Sequence, residues 1–203
     1  MKRFFLLTII LTAGAVAGRV VAQDAASASK RANQQYVLFE SERDKGTNVT
    51  GMYSYLLDSY ENFMKVVEAP DNGQYLSGAK NRLRAMYPYL LNGAVHYSEQ
   101  KQPSKALDFA AAYIEMPRLK IFQSELLPKD NRYASVVYYA AVSAYNLQKY
   151  SQALKYFQEY LSTGTDTQQK DCYVYMNMIY QSQKNYSEQE RVLEEAIAKY
   201  PVS

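Results

Sequence analysis

Few side chains in this 203-residue chain are of the kind that do chemistry, and their spacing limits what they can do. His96 is the one histidine, with no cysteine or carboxylate near it at metal-ligand spacing, so it reads as a surface or half-buried helix residue. Cys172 is the one cysteine; it forms no internal disulfide and no structural zinc site. Its place near the start of an aromatic-rich helix marks it as a small buried residue. Glu194 and Glu195 are adjacent, and adjacent residues on a helix do not share a face, so they cannot work as a paired acid and base. A glycine-rich phosphate loop, a GxSxG elbow and an HExxH pair are all missing from the sequence. The expectation is a non-enzymatic chain with no catalytic residue, no metal and no cofactor.

Charge depends on how the chain begins. Met1-Lys2-Arg3 is followed by an apolar run from Phe4 to about Val16, and then by Val20, Val21 and Ala22. A basic start, a short apolar core and small residues before a cut describe a secretory signal peptide over residues 1–22, cleaved before Gln23. The run is short for a bilayer span, and no stable membrane insertion of the mature chain is expected. Cleavage removes Lys2, Arg3 and Arg19, so 23 basic residues become 20 against 20 acidic ones. The mature chain is then formally neutral. Nucleic-acid binding needs an excess of positive charge to displace counterions, and none is expected here. Lys80, Arg82 and Arg84 read as a solvated helix face. Export without a disulfide network points to the periplasm of a Gram-negative bacterium, where the glycosylation pattern Asn48-Val49-Thr50 carries no meaning.

Behind these residues stands a helical pattern. One helix is expected from Ser29 to about Asp44, and a second over Val49–Glu68, with Met52, Tyr55, Leu56, Tyr60, Phe63 and Val67 at helical spacing. Pro70, Asn72 and Gly73 end it. Residues 23–80 therefore read as an N-terminal helical hairpin, either a degenerate repeat or an end cap.

Residues 81–203 repeat. Ala141 and Ala153 stand 12 apart, followed by Phe157 and Tyr160; Asn177 and Gln189 have the same separation, followed by Leu193 and Ala196. Tyr150 and Tyr186, which close the two turns, are 36 residues apart. A weaker copy has Ala94, Ala106, Ala110 and Tyr113, with Pro117 next. Ser104, Ser151 and Ser187 are expected to cap the second helix of each copy, the last in a capping box with Glu190. About a dozen extra residues, from Arg118, break the period between the first two copies and read as a helix extension plus a longer connection. Tyrosines are numerous (21, with no tryptophan), and Tyr113, Tyr150, Tyr156, Tyr160 and Tyr186 fall at packing positions.

These residues resemble the tetratricopeptide repeat family over about residues 88 to 201. The family's turn glycine is replaced by Gln148 and Lys184, and its small pair by Asn177 and Gln189 in the last copy. The resemblance implies an all-α, right-handed α-α superhelix of antiparallel helix hairpins. It also implies a concave groove lined by the first helix of each pair. Counted onto this chain, the groove residues are Leu91, Val95, Ser98, Tyr138, Val142, Tyr145, Asn146, Val174, Met178 and Gln181. They are aromatic and polar and lack the cations of a carboxylate clamp, so the expected ligand is a protein or peptide partner, bound as a strand or a helix, with a glycan as the other ligand such a groove suits. The alternative is the periplasmic sensor portion of a larger signalling protein, with its effector beyond Ser203. The last helix has no cap in sequence, which leaves three readings: a longer protein, a helix modified to face water, or an interface such as self-association.

Overall fold

The computed structural model describes residues 8–70, 72–164 and 167–201, with side chains from residue 25 onward. The leader predicted over residues 1–22, with Val20 and Ala22 at its cut, lies outside the residues whose side chains are described. Among the described residues the chain is all-α. Its helices are α1 (Thr8–Lys45), α2 (Val49–Glu68), α3 (Gly73–Glu99), α4 (Pro103–Glu115), α5 (Tyr133–Asn146), α6 (Tyr150–Ser162), α7 (Gln169–Ser182) and α8 (Tyr186–Lys199). Two 3-10 turns, Met116–Arg118 and Lys120–Phe122, lie between α4 and α5. They stand where a helix extension was expected. The helices form two compact units, Met1–Leu90 with Arg118–Leu126, and Leu91–Pro117 with Leu127–Ser203.

In the first unit α1 packs along α2. The turn between them works because Gly46 takes a left-handed φ of 68° and because the Asn48 side chain accepts the Gly51 N–H at 2.9 Å, capping α2. Ala25, Ala28, Ala32, Tyr36 and Phe39 form the buried stripe of α1, and Leu56, Ser59, Phe63 and Val66 that of α2. Alanine lets the two backbones come close: the Ser59 hydroxyl donates to the Ala32 carbonyl at 2.9 Å. The Asn72 amide closes the end of α2 by donating to the carbonyls of Val66 and Val67. Lys80 and Arg84, one helical turn apart, both pair with Glu125, and Arg82 lies 4.3 Å from the Tyr36 ring centre. Of this basic cluster, expected to face water, Arg84 is exposed, while Lys80 and Arg82 are half-buried; Lys80 and Arg84 hold the returning segment, whose Phe122 is buried.

In the second unit, the end of α3 with α4, α5 with α6, and α7 with α8 are each joined by a connection of three residues: 100–102, 147–149 and 183–185. Packed helices joined so briefly must run antiparallel. Each connection is the same device. Lys101, Gln148 and Lys184 adopt φ of 54°, 56° and 57°. The next N–H returns to the carbonyl five residues back: Gln102 to Tyr97, Lys149 to Ala144 and Asn185 to Tyr180, each at 2.9 Å. Lys101, Gln148 and Lys184 themselves donate to Ser98, Tyr145 and Gln181 at 3.1, 2.9 and 3.0 Å. These paired bonds form a Schellman stop, here built on long polar side chains instead of glycine.

The stop moves each helix start two residues earlier than the serines imply. Gln102, Lys149 and Asn185 are the N-caps, and Ser104, Ser151 and Ser187 sit within the first turns. Only Asn185 caps with its side chain, accepting the Glu188 N–H at 3.4 Å, so the expected Ser187–Glu190 box is not the cap of α8.

Small residues lie inside the first two hairpins. Ala94, Ala106, Ala141 and Ala153 are buried. A Cβ on Gly93 would stand 2.5 Å from the Phe109 ring. Where the last hairpin lacks the small pair, the Gln189 amide donates to the Asn177 side-chain oxygen at 2.9 Å, so the substituted positions still touch. Tyrosines then tie each hairpin to the chain that follows. The Tyr113 hydroxyl accepts the Asp130 N–H at 3.1 Å before α5, and the Tyr160 hydroxyl accepts the Gln168 N–H at 3.3 Å before α7. Tyr160 also donates to the Gln168 side chain at 2.5 Å. Tyr113, Tyr156 and Tyr160 are core, as their spacing predicts, whereas Tyr186 is exposed.

Candidate functional site

The second unit offers one extended surface of mixed apolar and polar side chains, carried by α5 and α7. Each helix exposes a stripe at spacings of three and four: Ser135, Tyr139, Val142 and Asn146 on α5, and Asp171, Val174, Met178 and Gln181 on α7. Tyr139 is 49 % exposed and Val174 56 %. Val142 is half-buried; Asn146, Met178 and Gln181 are exposed.

Tyr138 and Tyr145 bridge the two helices, and much of their surface is spent doing so. The Tyr138 hydroxyl donates to an Asp171 carboxylate oxygen at 3.4 Å, and its ring lies 5.4 Å from that of Tyr160. Tyr145 meets Tyr175 edge-on at 4.9 Å, and its hydroxyl is 4.0 Å from the Met178 sulfur. Tyr175 in turn stacks on Phe157 at 5.2 Å, so one tyrosine of α7 is wedged against both α5 and α6. Burial, reinforced by the Asp171 carboxylate, pushes the Tyr138 phenol upward, which keeps it a protonated hydrogen-bond donor.

Of the residues expected to line a groove, Tyr138, Val142, Tyr145, Asn146, Val174, Met178 and Gln181 thus share the α5–α7 surface. Val95 and Ser98 are half-buried on α3. Leu91 is 2 % exposed and belongs to the core: Leu90 and Leu91 are both buried, so the covered arc of α3 is wider there than a single stripe. Tyr139 was missed. It lies three residues before Val142 and seven before Asn146, so counting from Val142 instead of Tyr138 finds it.

The remaining chemistry-bearing residues are tied into packing. Cys172 is buried, and burial with help from Asp171 pushes its thiol up to about 12, away from thiolate character. The His96 ring lies 5.0 Å from Tyr97, edge-on. Among the described residues no group of three or more histidines, cysteines or carboxylates is disposed to hold a metal ion, and no helix is long and apolar enough to cross a membrane. In the first unit a cleft of about 580 Å³ between α1 and α2 is lined by Ser27, Arg31, Asn62, Lys65 and Glu68 among alanines. Comparison with family models, with curated proteins and with solved structures finds no match for this chain.

Proposed function

We propose that the chain is an exported, non-enzymatic helical-repeat scaffold of tetratricopeptide type, and that its α5–α7 surface receives a protein or peptide partner. Repetition of the turn supports the first half of this reading. Three left-handed residues, three identical hydrogen-bond pairs and two tyrosine hydroxyls at equivalent positions make successive hairpins alike, and like units stacked by like contacts extend into a superhelix. The second half rests on the exposed apolar groups Tyr139, Val174 and Met178 interleaved with the amides of Asn146 and Gln181. Such a surface fits the apolar side chains of a peptide while its amides bond the peptide backbone. Asp171 is the one charged side chain on the two exposed stripes, which disfavours a carboxylate ligand.

The test is selection of peptides from a random displayed library on the immobilised chain. An enriched family should lose affinity at least about tenfold with Met178→Ala or Asn146→Ala, two exposed positions whose truncation leaves the core intact. Tyr145→Ala is a poorer probe because it also removes the contact with Tyr175. Enrichment that ignores all of these changes would remove the α5–α7 surface from the proposal.

A further inference from the structure

The last helix pair carries an apolar groove of about 260 Å³ on α7 and α8, lined by Val174, Leu193, Ala196 and Ile197, with Lys170 and Tyr200 at one end. Ile197 is 63 % exposed, and Val192 is the only buried residue of α8. Two observations indicate what covers this groove. The first is the repeat. Advancing 36 residues turns Tyr138, Phe157, Tyr160 and Leu161 into Val174, Leu193, Ala196 and Ile197. Tyr138 and Phe157 are the residues on which α7 is seated, through Asp171 and Tyr175. The groove is therefore the next copy of an interface that the fold already covers with a helix.

The second observation is charge. Lys170 is exposed where α7 begins and α8 ends, its ammonium 4.9 Å from the Tyr200 ring centre. Glu190 and Glu194 are exposed farther back along α8 and pair with no cation among the described residues, because Arg191 takes Glu188 and Glu195. The groove thus ends in a cation, and two exposed carboxylates stand outside its lining, one turn or more back along α8 from Ile197. A two-fold rotation that lays α8 antiparallel on α8 of a second copy sets each Lys170 against the other copy's Glu190 and Glu194, with Leu193 and Ile197 between them. A parallel arrangement would set like charges together. Two-fold pairing is also the commonest way for a chain to cover its own surface.

We propose that the α7–α8 groove is a two-fold self-association interface, covered by α8 of a second copy of this chain. The interface shares Val174 with the partner surface but not Tyr139, Asn146 or Met178, so its failure leaves the peptide selection readable, and Ile197→Glu should leave bound those enriched peptides that depend on Met178 or Asn146.

Sedimentation velocity on the full chain over a roughly hundredfold concentration range is the test, since mass action makes a dimer concentration-dependent. The expected result is a rise from monomer to dimer mass. Ile197→Glu should weaken the dimer at least about tenfold without changing the melting curve of the monomer at the lowest concentration, because the side chain is already exposed there. Lys170→Glu should weaken it too, and adding Glu190→Lys and Glu194→Lys to that variant should restore it. A chain that stays monomeric throughout, as it would if a different helix occupies the groove, overturns the proposal. So does a dimer indifferent to Ile197→Glu, or one weakened by Lys170→Glu that the triple exchange fails to restore.

Discussion

Single residues in strained or bonded positions carry much of the energetics here. Lys101, Gln148 and Lys184 hold left-handed backbone in which a Cβ crowds the following carbonyl, at a cost of roughly 1–2 kcal/mol for an L residue. Glycine removes that crowding but loses more chain entropy on folding. Gln148→Gly and Lys184→Gly should therefore each stabilise by about 0.5–1 kcal/mol in urea unfolding, and nearly additively because they lie in different turns. The Tyr160 hydroxyl both accepts from and donates to Gln168, so Tyr160→Phe should destabilise by about 1–3 kcal/mol through the groups it leaves unpaired. Cys172 gives a third outcome. Its buried, protonated thiol should be inert to a thiol reagent in the native chain and react at once in denaturant.

Between elements, the contacts are close enough that one methyl group matters. Gly93→Ala drives a Cβ into the Phe109 ring and should cost about 1–3 kcal/mol, read as a lowered urea midpoint. Much of this architecture was legible beforehand. Small residues 12 apart, large ones four and seven beyond, and the 36-residue interval identify hairpins because packing distance dictates side-chain size. Helix α2 was legible at its end, since Pro70, Asn72 and Gly73 are strong local breakers, while its Asn48 cap shows only in the structure. The starts of α4, α6 and α8 were not legible. A left-handed glutamine or lysine carries no glycine to announce it, so the serines look like caps although the turn has already closed. Leu91 is core instead of groove for a related reason: periodicity gives the centre of a stripe, while the width of the buried arc depends on how many neighbours a helix has.

At the scale of the whole molecule, acid should loosen both units through their carboxylates. Lys80 and then Arg84 hold Glu125 below its ordinary range, and Arg132 holds Asp130 down to about 2. A carboxylate depressed by folding contributes stability that is complete above its unfolded value of roughly 4 and is lost as pH falls through the folded value. Stability should thus decline from about pH 4 toward about pH 2, and Asp130→Asn and Glu125→Gln should each flatten that decline in acid unfolding curves. Glu125 has a wider consequence. It lies with Phe122 in the short stretch Arg118–Leu126, which belongs to the first unit although the chain on either side of it belongs to the second. No single scission can then divide this polypeptide into two complete modules. A fragment stopping at residue 90 forfeits the Phe122 ring and the Glu125 clasp, while one starting at 91 keeps them without their seats. Attempts to dissect the protein into autonomous halves should yield an N-terminal piece that recovers its native fold only when a peptide spanning 118–126 is supplied in trans.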